Sequence, residues 1–140
     1  MRRLALVVAL PLALALAGCG SQGVVAPTAE TVVGSLPKAA PVAKGDPAAG
    51  AKLYASNGCG GCHVYTPAKS AGKVGPSLDK LAADAQKANQ GPLDQYTFES
   101  IKNPGSYVVP GYPNGVMPNF GSTLSDKQIS DLVAYLTQKH

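Results

Sequence analysis

Cys59-Gly60-Gly61-Cys62-His63 is the stretch of this 140-residue sequence that decides its fold. Two thiols separated by two residues can each form a thioether with one of the two vinyl groups of a single haem. The histidine that follows can then ligate the iron from one side of the macrocycle. The motif C-x-x-C-H therefore predicts one covalent haem c attached at Cys59 and Cys62, with His63 as an axial ligand of the metal.

Three other interpretations of these cysteines stay open at this point. A thioredoxin-like redox dithiol usually lies in a strand–helix–strand context, which the surrounding sequence lacks. A structural zinc site takes four ligands, and only Cys59, Cys62 and His63 cluster here. A disulfide between Cys59 and Cys62 is the simplest alternative for an exported protein. The motif favours haem attachment over all three.

The N-terminus predicts export and lipid anchoring. Arg2 and Arg3 precede an apolar run of 13 residues that ends at Leu16. A helix needs about 20 residues to cross a bilayer core, so a cleaved signal is favoured over a permanent span. Leu16-Ala17-Gly18-Cys19 resembles the lipobox of bacterial lipoproteins, in which the cysteine is acylated and becomes the first residue. We expect residues 1–18 to be a lipoprotein signal peptide and Cys19 to be lipidated, an ordinary secretory signal being the alternative.

Such an anchor would hold the protein on the extracytoplasmic face of a bacterial membrane, because two acyl chains suffice for stable attachment. Residues 19–44 are rich in small residues and scattered prolines and show no sustained period. We expect them to form a flexible tether with an r.m.s. reach of roughly 25–30 Å. Residues 45–140 then remain as one domain. The three cysteines of the chain are thereby all assigned, one to the lipid and two to the haem.

The net charge argues against a nucleic-acid partner. The chain has 12 Lys and Arg against 8 Asp and Glu, a formal charge of +4. Loss of Arg2 and Arg3 with the signal peptide lowers this charge to +2. Every positively charged side chain that remains is then a lysine. A nucleic-acid-binding surface would show clustered Arg and Lys, and this sequence has no such cluster.

A second axial ligand follows by elimination. Met117 is the one methionine left after cleavage, and it lies 54 residues beyond His63, far enough to reach the opposite face of the haem. Glycine and proline around it indicate a loop. A methionine that merely packs in the core is the alternative, and His140 at the C-terminus is a weak rival ligand. Further candidates for the wall of the haem crevice are Tyr107, Val108, Val109, Pro110, Tyr112 and Phe120.

Caps and periodicity predict a mostly helical domain without convincing strands. Asp46-Pro47 indicates the start of a helix that runs to Ala55, and Ser125 to Gln128 matches a capping box before an amphipathic final helix. Gly50 would let these two helices approach closely. Two further helices are expected over Leu78 to Ala88 and over Asp94 to Lys102. A domain under 100 residues without tryptophan is hard to stabilise by side-chain burial alone, so the haem is expected to complete its core.

Together these residues resemble class I cytochrome c. The likeness rests on C-x-x-C-H after a short helix, on Gly75-Pro76-Ser77-Leu78, on the Met117-Pro118 loop and on the final helix, and it covers nearly all of residues 45–140. It implies a small helical domain wrapped around one covalent haem. It also implies that the carbonyl of Pro76 accepts a hydrogen bond from His63. The stretch from Glu99 to Pro118 especially resembles cytochrome domains that are fused to, or serve, haem–copper oxidases.

We therefore expect a single-electron carrier rather than an enzyme, because His63 and Met117 would leave no open position on the iron. The resemblance implies redox partner proteins in a respiratory or photosynthetic electron-transfer chain, with a quinol-oxidising complex as donor and a haem–copper oxidase as acceptor. Three lysines are candidates for steering an acidic partner, the alternative being that they are merely solvated; they are Lys69, Lys73 and Lys80. The alternatives are a peroxidase-like open-site haem enzyme, a haem-based sensor, and a lipoprotein with a structural disulfide.

Overall fold

The computed structural model describes residues 41–139. The predicted signal peptide, the lipidation site Cys19, nearly all of the predicted tether and the rival ligand His140 lie outside the described residues. Within 41–139, no helix has both the length and the apolar character that a membrane span requires.

Within residues 41–139 four helices carry the fold, and the mostly helical class is confirmed. They are α1 Pro47–Ser56, α2 Leu81–Ala88, α3 Leu93–Lys102 and α4 Asp126–Leu136. Between α1 and α2, the strands β1 Val64–Tyr65 and β2 Ser70–Ala71 form a small antiparallel hairpin. Each strand has two residues, which is too short for the alternation that a strand prediction needs. The expected helix over Leu78 to Ala88 is a 3₁₀ turn at Leu78–Lys80 followed by α2.

The first and last helices begin where their caps predict. The carboxylate of Asp46 accepts a hydrogen bond from the Ala48 N–H at 2.9 Å, with Pro47 at the first helical position. Ser125 and Gln128 form the complete capping box, each side chain accepting from the backbone N–H of the other. Both caps satisfy N–H groups that have no partner inside the helix.

Helices α1 and α4 cross in contact at Gly50, as the sequence predicts. A Cβ atom on Gly50 would lie 2.0 Å from the carbonyl oxygen of Asp131 and 2.7 Å from the Cβ of Tyr135. The rings of Tyr54 and Tyr135 pack beside the crossing with their centroids 5.7 Å apart. Tyr65 adds a third ring, 5.4 Å from Tyr135, and its hydroxyl donates to the Tyr135 carbonyl at 2.9 Å.

The start of the domain is fastened to α4 by Asp131. Its carboxylate accepts the backbone N–H of Asp46 at 2.6 Å and also pairs with Lys127. The hydrogen bond from Asp46, and after it the one from Lys127, hold the pKa of Asp131 below its ordinary value of 3.8. The carboxylate therefore stays ionised at neutral pH and keeps the chain before α1 in contact with α4.

The apolar core is divided into two small clusters. The larger one gathers buried side chains of α1, β1, α3 and α4 around Ile129, which is fully buried. The smaller one consists of Ala85, Ala88 and Tyr96 from α2 and α3. Residues of both clusters line one cavity, so whatever fills that cavity joins the two halves of the core.

Candidate haem-binding site

A cavity of about 320 Å³ contains all four side chains that the sequence assigns to the haem and its iron. This volume falls in the range of about 300–1,000 Å³ that is usual for ligand and cofactor pockets. Cys59, Cys62 and His63 line it from the turn after α1, and Met117 lines it from the loop between α3 and α4. Most of the remaining lining is apolar. The four residues are thus brought together, although their individual roles stay predictions.

The two cysteines lie on a short turn that begins directly after α1. Gly58 adopts a left-handed conformation with a φ of 68°, and a 3₁₀ turn spans Cys59–Gly61. The carbonyl of Cys59 accepts the N–H groups of Cys62 and His63 at 3.2 and 3.0 Å. These hydrogen bonds set the spacing of the motif, with Cys59 half-buried and Cys62 exposed as free thiols.

The thiol chemistry does not favour the redox-dithiol alternative. Burial is the main cause that raises the pKa of the Cys59 thiol above its ordinary value. Reactive dithiols need a lowered pKa, because the thiolate is the nucleophile. The zinc alternative gains no support either, since residues 41–139 contain no group of three His, Cys, Asp or Glu side chains placed to hold a metal ion.

His63 is held in one orientation by Pro76. The ring nitrogen Nδ1 lies 2.7 Å from the carbonyl oxygen of Pro76. A carbonyl can only accept, so Nδ1 must carry a proton, and in the neutral imidazole the lone pair is then on Nε2. This is the tautomer that an iron ligand requires. The contact that the resemblance implied for Pro76 is present in the structure.

Gly75 is a site residue that the sequence analysis quoted without giving it a role. A Cβ atom there would lie 2.5 Å from Cε1 and 2.9 Å from Nδ1 of His63. Its N–H donates to the Cys62 carbonyl at 2.9 Å. Glycine at this position therefore lets the backbone pass against the imidazole. The sequence signal was the Gly-Pro pair itself, but only the fold shows what the glycine faces.

Met117 lies in a long loop that carries no charged residue from Asn103 to Ser125. Its side chain is half-buried and packs against the larger core cluster. Gly111 and Gly115 adopt positive φ values of 95° and 79°, which glycine tolerates without strain. These turns bring the loop across the cavity from α3 to α4.

Five of the six predicted crevice residues line the cavity, and Pro110 does not. Pro110 is exposed at a turn. The residues that do line it are Tyr107, Val108, Val109, Tyr112 and Phe120. At the mouth of the cavity Val74 and Val116 keep 52% and 51% of their surface exposed. The wall is therefore largely apolar, both inside and at its rim.

These residues fit a covalent haem. The cavity offers two thiols for the vinyl groups, an imidazole nitrogen and a thioether sulfur for the iron, and apolar walls for the macrocycle. A small helical domain with this donor set has the architecture of a class I c-type cytochrome.

Comparisons with known proteins agree with this class. A family model described as cytochrome c oxidase, cbb3-type, subunit III matches residues 45–136. A cytochrome c from Theileria annulata is 33% identical over 110 residues, which cover 69% of this chain and 89% of that protein. The chain belongs to this cytochrome c family, and its cofactor is a covalently attached haem c.

Proposed function

We propose that the protein carries single electrons between membrane complexes, with His63 and Met117 as the two axial ligands of its haem iron. The family match supports haem-based electron transfer. The observation that carries the ligand assignment is the shared cavity of Cys59, Cys62, His63 and Met117. The bound haem supplies an iron that alternates between the ferrous and ferric states.

His63 contributes a fixed and basic ligand. The hydrogen bond to Pro76 engages Nδ1, which would leave Nε2 as the nitrogen that binds the iron, and it raises the electron density of the imidazole. The close passage of Gly75 restricts rotation of the ring. A ligand that does not move between redox states lets the electron transfer without large reorganisation of the protein.

Met117 would contribute a neutral thioether as the second ligand of the iron. Thioether ligation and apolar surroundings both favour the ferrous form and raise the reduction potential. If His63 and Met117 both bound the iron, no position would be left for a substrate, as expected of a carrier and not of a peroxidase-like enzyme. The enzyme and sensor alternatives both require Met117 to stay off the metal or to leave it.

The rim of the cavity is the proposed contact surface for redox partners. Val74, Tyr112 and Val116 are its exposed large apolar side chains, and the loop that carries two of them has no charge. Docking at this rim should depend mainly on apolar contact.

The lysines proposed for steering, Lys69, Lys73 and Lys80, are all exposed, and steering stays a prediction.

A haem–copper oxidase is the proposed acceptor and a quinol-oxidising complex the proposed donor. The description of the matched family as an oxidase subunit supports the acceptor. A lipid at Cys19 and a tether over residues 19–44 would keep the domain on the extracytoplasmic membrane face, where both partners can be reached. This arrangement rests on the sequence of a segment outside the described residues.

The experiment that tests the ligand assignment compares absorption spectra of the haem-loaded wild type with Met117→Ala in both redox states. We expect a low-spin wild-type spectrum with the weak near-infrared band of methionine–iron ligation, and loss of that band in the variant. Leu124→Ala is the matched control, because Leu124 also lines the cavity but has no atom that can ligate iron. A high-spin wild-type spectrum that Met117→Ala leaves unchanged would favour the open-site alternatives instead.

A further inference from the structure

Asp84 is the one Asp, Glu, Lys or Arg among the described residues that line the haem cavity. It lies in the first turn of α2 and is half-buried. Every other lining residue is apolar, a glycine or an uncharged polar residue apart from the histidine and the two cysteines of the motif. A carboxylate in such a wall needs an explanation, because apolar surroundings disfavour a charge.

The charge of Asp84 acts on a neighbouring group of the same wall. Tyr96 of α3 also lines the cavity and is buried. Burial first, and then the negative charge of Asp84 among lesser causes, raises the pKa of Tyr96, while a hydrogen bond with Ser100 lowers it. The carboxylate on α2 therefore acts electrostatically on a side chain of α3 in the same cavity wall.

A negative charge beside a haem affects its two redox states differently. The ferric iron carries one more positive charge than the ferrous iron, and Coulomb attraction is stronger in apolar surroundings than in water. We propose that Asp84 is a potential-setting residue, which stabilises the ferric state and holds the midpoint potential below the value that Met117 and the apolar wall would otherwise give. This proposal rests on haem in the cavity and extends the proposed function.

A purely structural role for Asp84 would have a different signature. A carboxylate in the first turn of a helix interacts favourably with the partial positive charge of the N-terminus. Asp94 also lies in the first turn of its helix, α3, as the second residue where Asp84 is the fourth of α2. It is exposed and is not one of the residues that line the cavity. Asp94→Asn therefore removes the same charge from the first turn of a helix outside the haem site, at a position closer to the helix N-terminus.

The test is a spectroelectrochemical titration of the haem-loaded protein in four forms, at one pH and one ionic strength. The forms are the wild type, Asp84→Asn, Asp84→Glu and Asp94→Asn. We expect Asp84→Asn to shift the midpoint potential upward, by several-fold more than Asp94→Asn does. Asp84→Glu keeps the charge and should stay near the wild type.

The direction in which the midpoint potential shifts distinguishes an effect of the Asp84 charge from an effect of altered packing. If Asp84→Asn merely loosened α2, water would enter the cavity, stabilise the ferric charge and lower the potential. A potential for Asp84→Asn that is unchanged or lower would overturn the proposal, and so would an equal shift in Asp94→Asn. The spectra recorded in the same titration report the axial ligands, so a failure of the His63/Met117 assignment would be seen in the wild type itself.

Discussion

Gly75 and Pro76 together determine the orientation of the His63 imidazole. The carbonyl of Pro76 fixes the position of the ring proton, and the missing side chain of Gly75 leaves the space that the ring occupies. One residue selects the tautomer and the other permits the orientation. Both conditions must hold before Nε2 can face a metal.

Substitution of Gly75 by alanine should disturb the iron ligand without preventing haem attachment. The new Cβ would lie 2.5 Å from Cε1 of His63, so the ring must turn or the backbone must shift. Overpacking of this kind costs about 1–3 kcal/mol. We expect Gly75→Ala to lower the thermal unfolding midpoint and to give a ferric spectrum with a high-spin component, while the thioethers at Cys59 and Cys62 still form.

Gly61→Ala is the control for this experiment. A Cβ on Gly61 meets nothing within 4 Å, so the spectrum and the stability should stay close to those of the wild type. A Gly75→Ala protein with an unchanged spectrum and unchanged stability would show that the backbone beside His63 yields easily.

At the scale of elements, the crossing of α1 and α4 joins the two ends of the domain. Gly50 lies against the Asp131 carbonyl, and the Asp131 carboxylate binds the N–H of Asp46, 85 residues earlier in the chain. Tyr54, which lies one turn beyond Gly50, lines the haem cavity. The crossing therefore fixes one wall of the site as well as the ends of the chain.

Alanine at Gly50 should destabilise the protein, although alanine is the better helix former. In an exposed helix, replacing glycine by alanine raises the free energy of unfolding by roughly 0.5–1 kcal/mol. Here the added Cβ would lie 2.0 Å from the Asp131 carbonyl oxygen, so α4 must move away. We expect a net loss of about 1–3 kcal/mol in the free energy of unfolding, measured by denaturant titration of the haem-loaded protein.

Ala55→Gly measures the helix-propensity part of this effect. Ala55 is an exposed residue of α1, so its exchange should cost only the roughly 0.5–1 kcal/mol of propensity. If Gly50→Ala were as stable as the wild type or more stable, the contact between α1 and α4 would have to be looser than described.

On the scale of the whole molecule, the cofactor is part of the core. The buried apolar side chains form two small clusters, and both contribute to the wall of the same cavity. A small domain has little apolar surface to bury. A covalent haem in this cavity would supply the missing contacts and connect the two clusters, and a chain without tryptophan could then hold a defined fold.

The lipid anchor is a prediction at this same scale. If residues 1–19 are exchanged for a cleaved secretory signal without a cysteine, we expect the protein to move from the membrane fraction to the soluble extracytoplasmic fraction. Its spectrum should not change, because the haem domain is intact. Soluble donors should still reduce it, while electron flux between membrane complexes should fall.

Fractionation and oxygen-consumption measurements check this prediction, and the matched control is the wild-type chain with its own N-terminus. Continued membrane association together with unchanged flux would contradict both the lipidation of Cys19 and the need for a tether.

The sequence by itself determined the chemistry that is local in the chain. The haem motif at Cys59 to His63 and the caps at Asp46 and Ser125 depend on atoms only a few residues apart, so their spacing can be read directly. Helix positions followed from the same short-range rules, and the Gly50 crossing followed from the space that a glycine leaves. Pro76 was named through the resemblance and Met117 by elimination, and the fold brings both to the cavity.

Only the tertiary structure decided what distant segments do to one another. Gly75 gains its role because the backbone after the hairpin passes the His63 ring. The role proposed for Asp84 depends on the position of α2 in the wall of the cavity. Tyr65 joins the other two tyrosines from a strand too short to be recognised. These contacts link residues far apart in the chain, and they exist because burial of apolar surface around one cofactor selects a single arrangement of the segments.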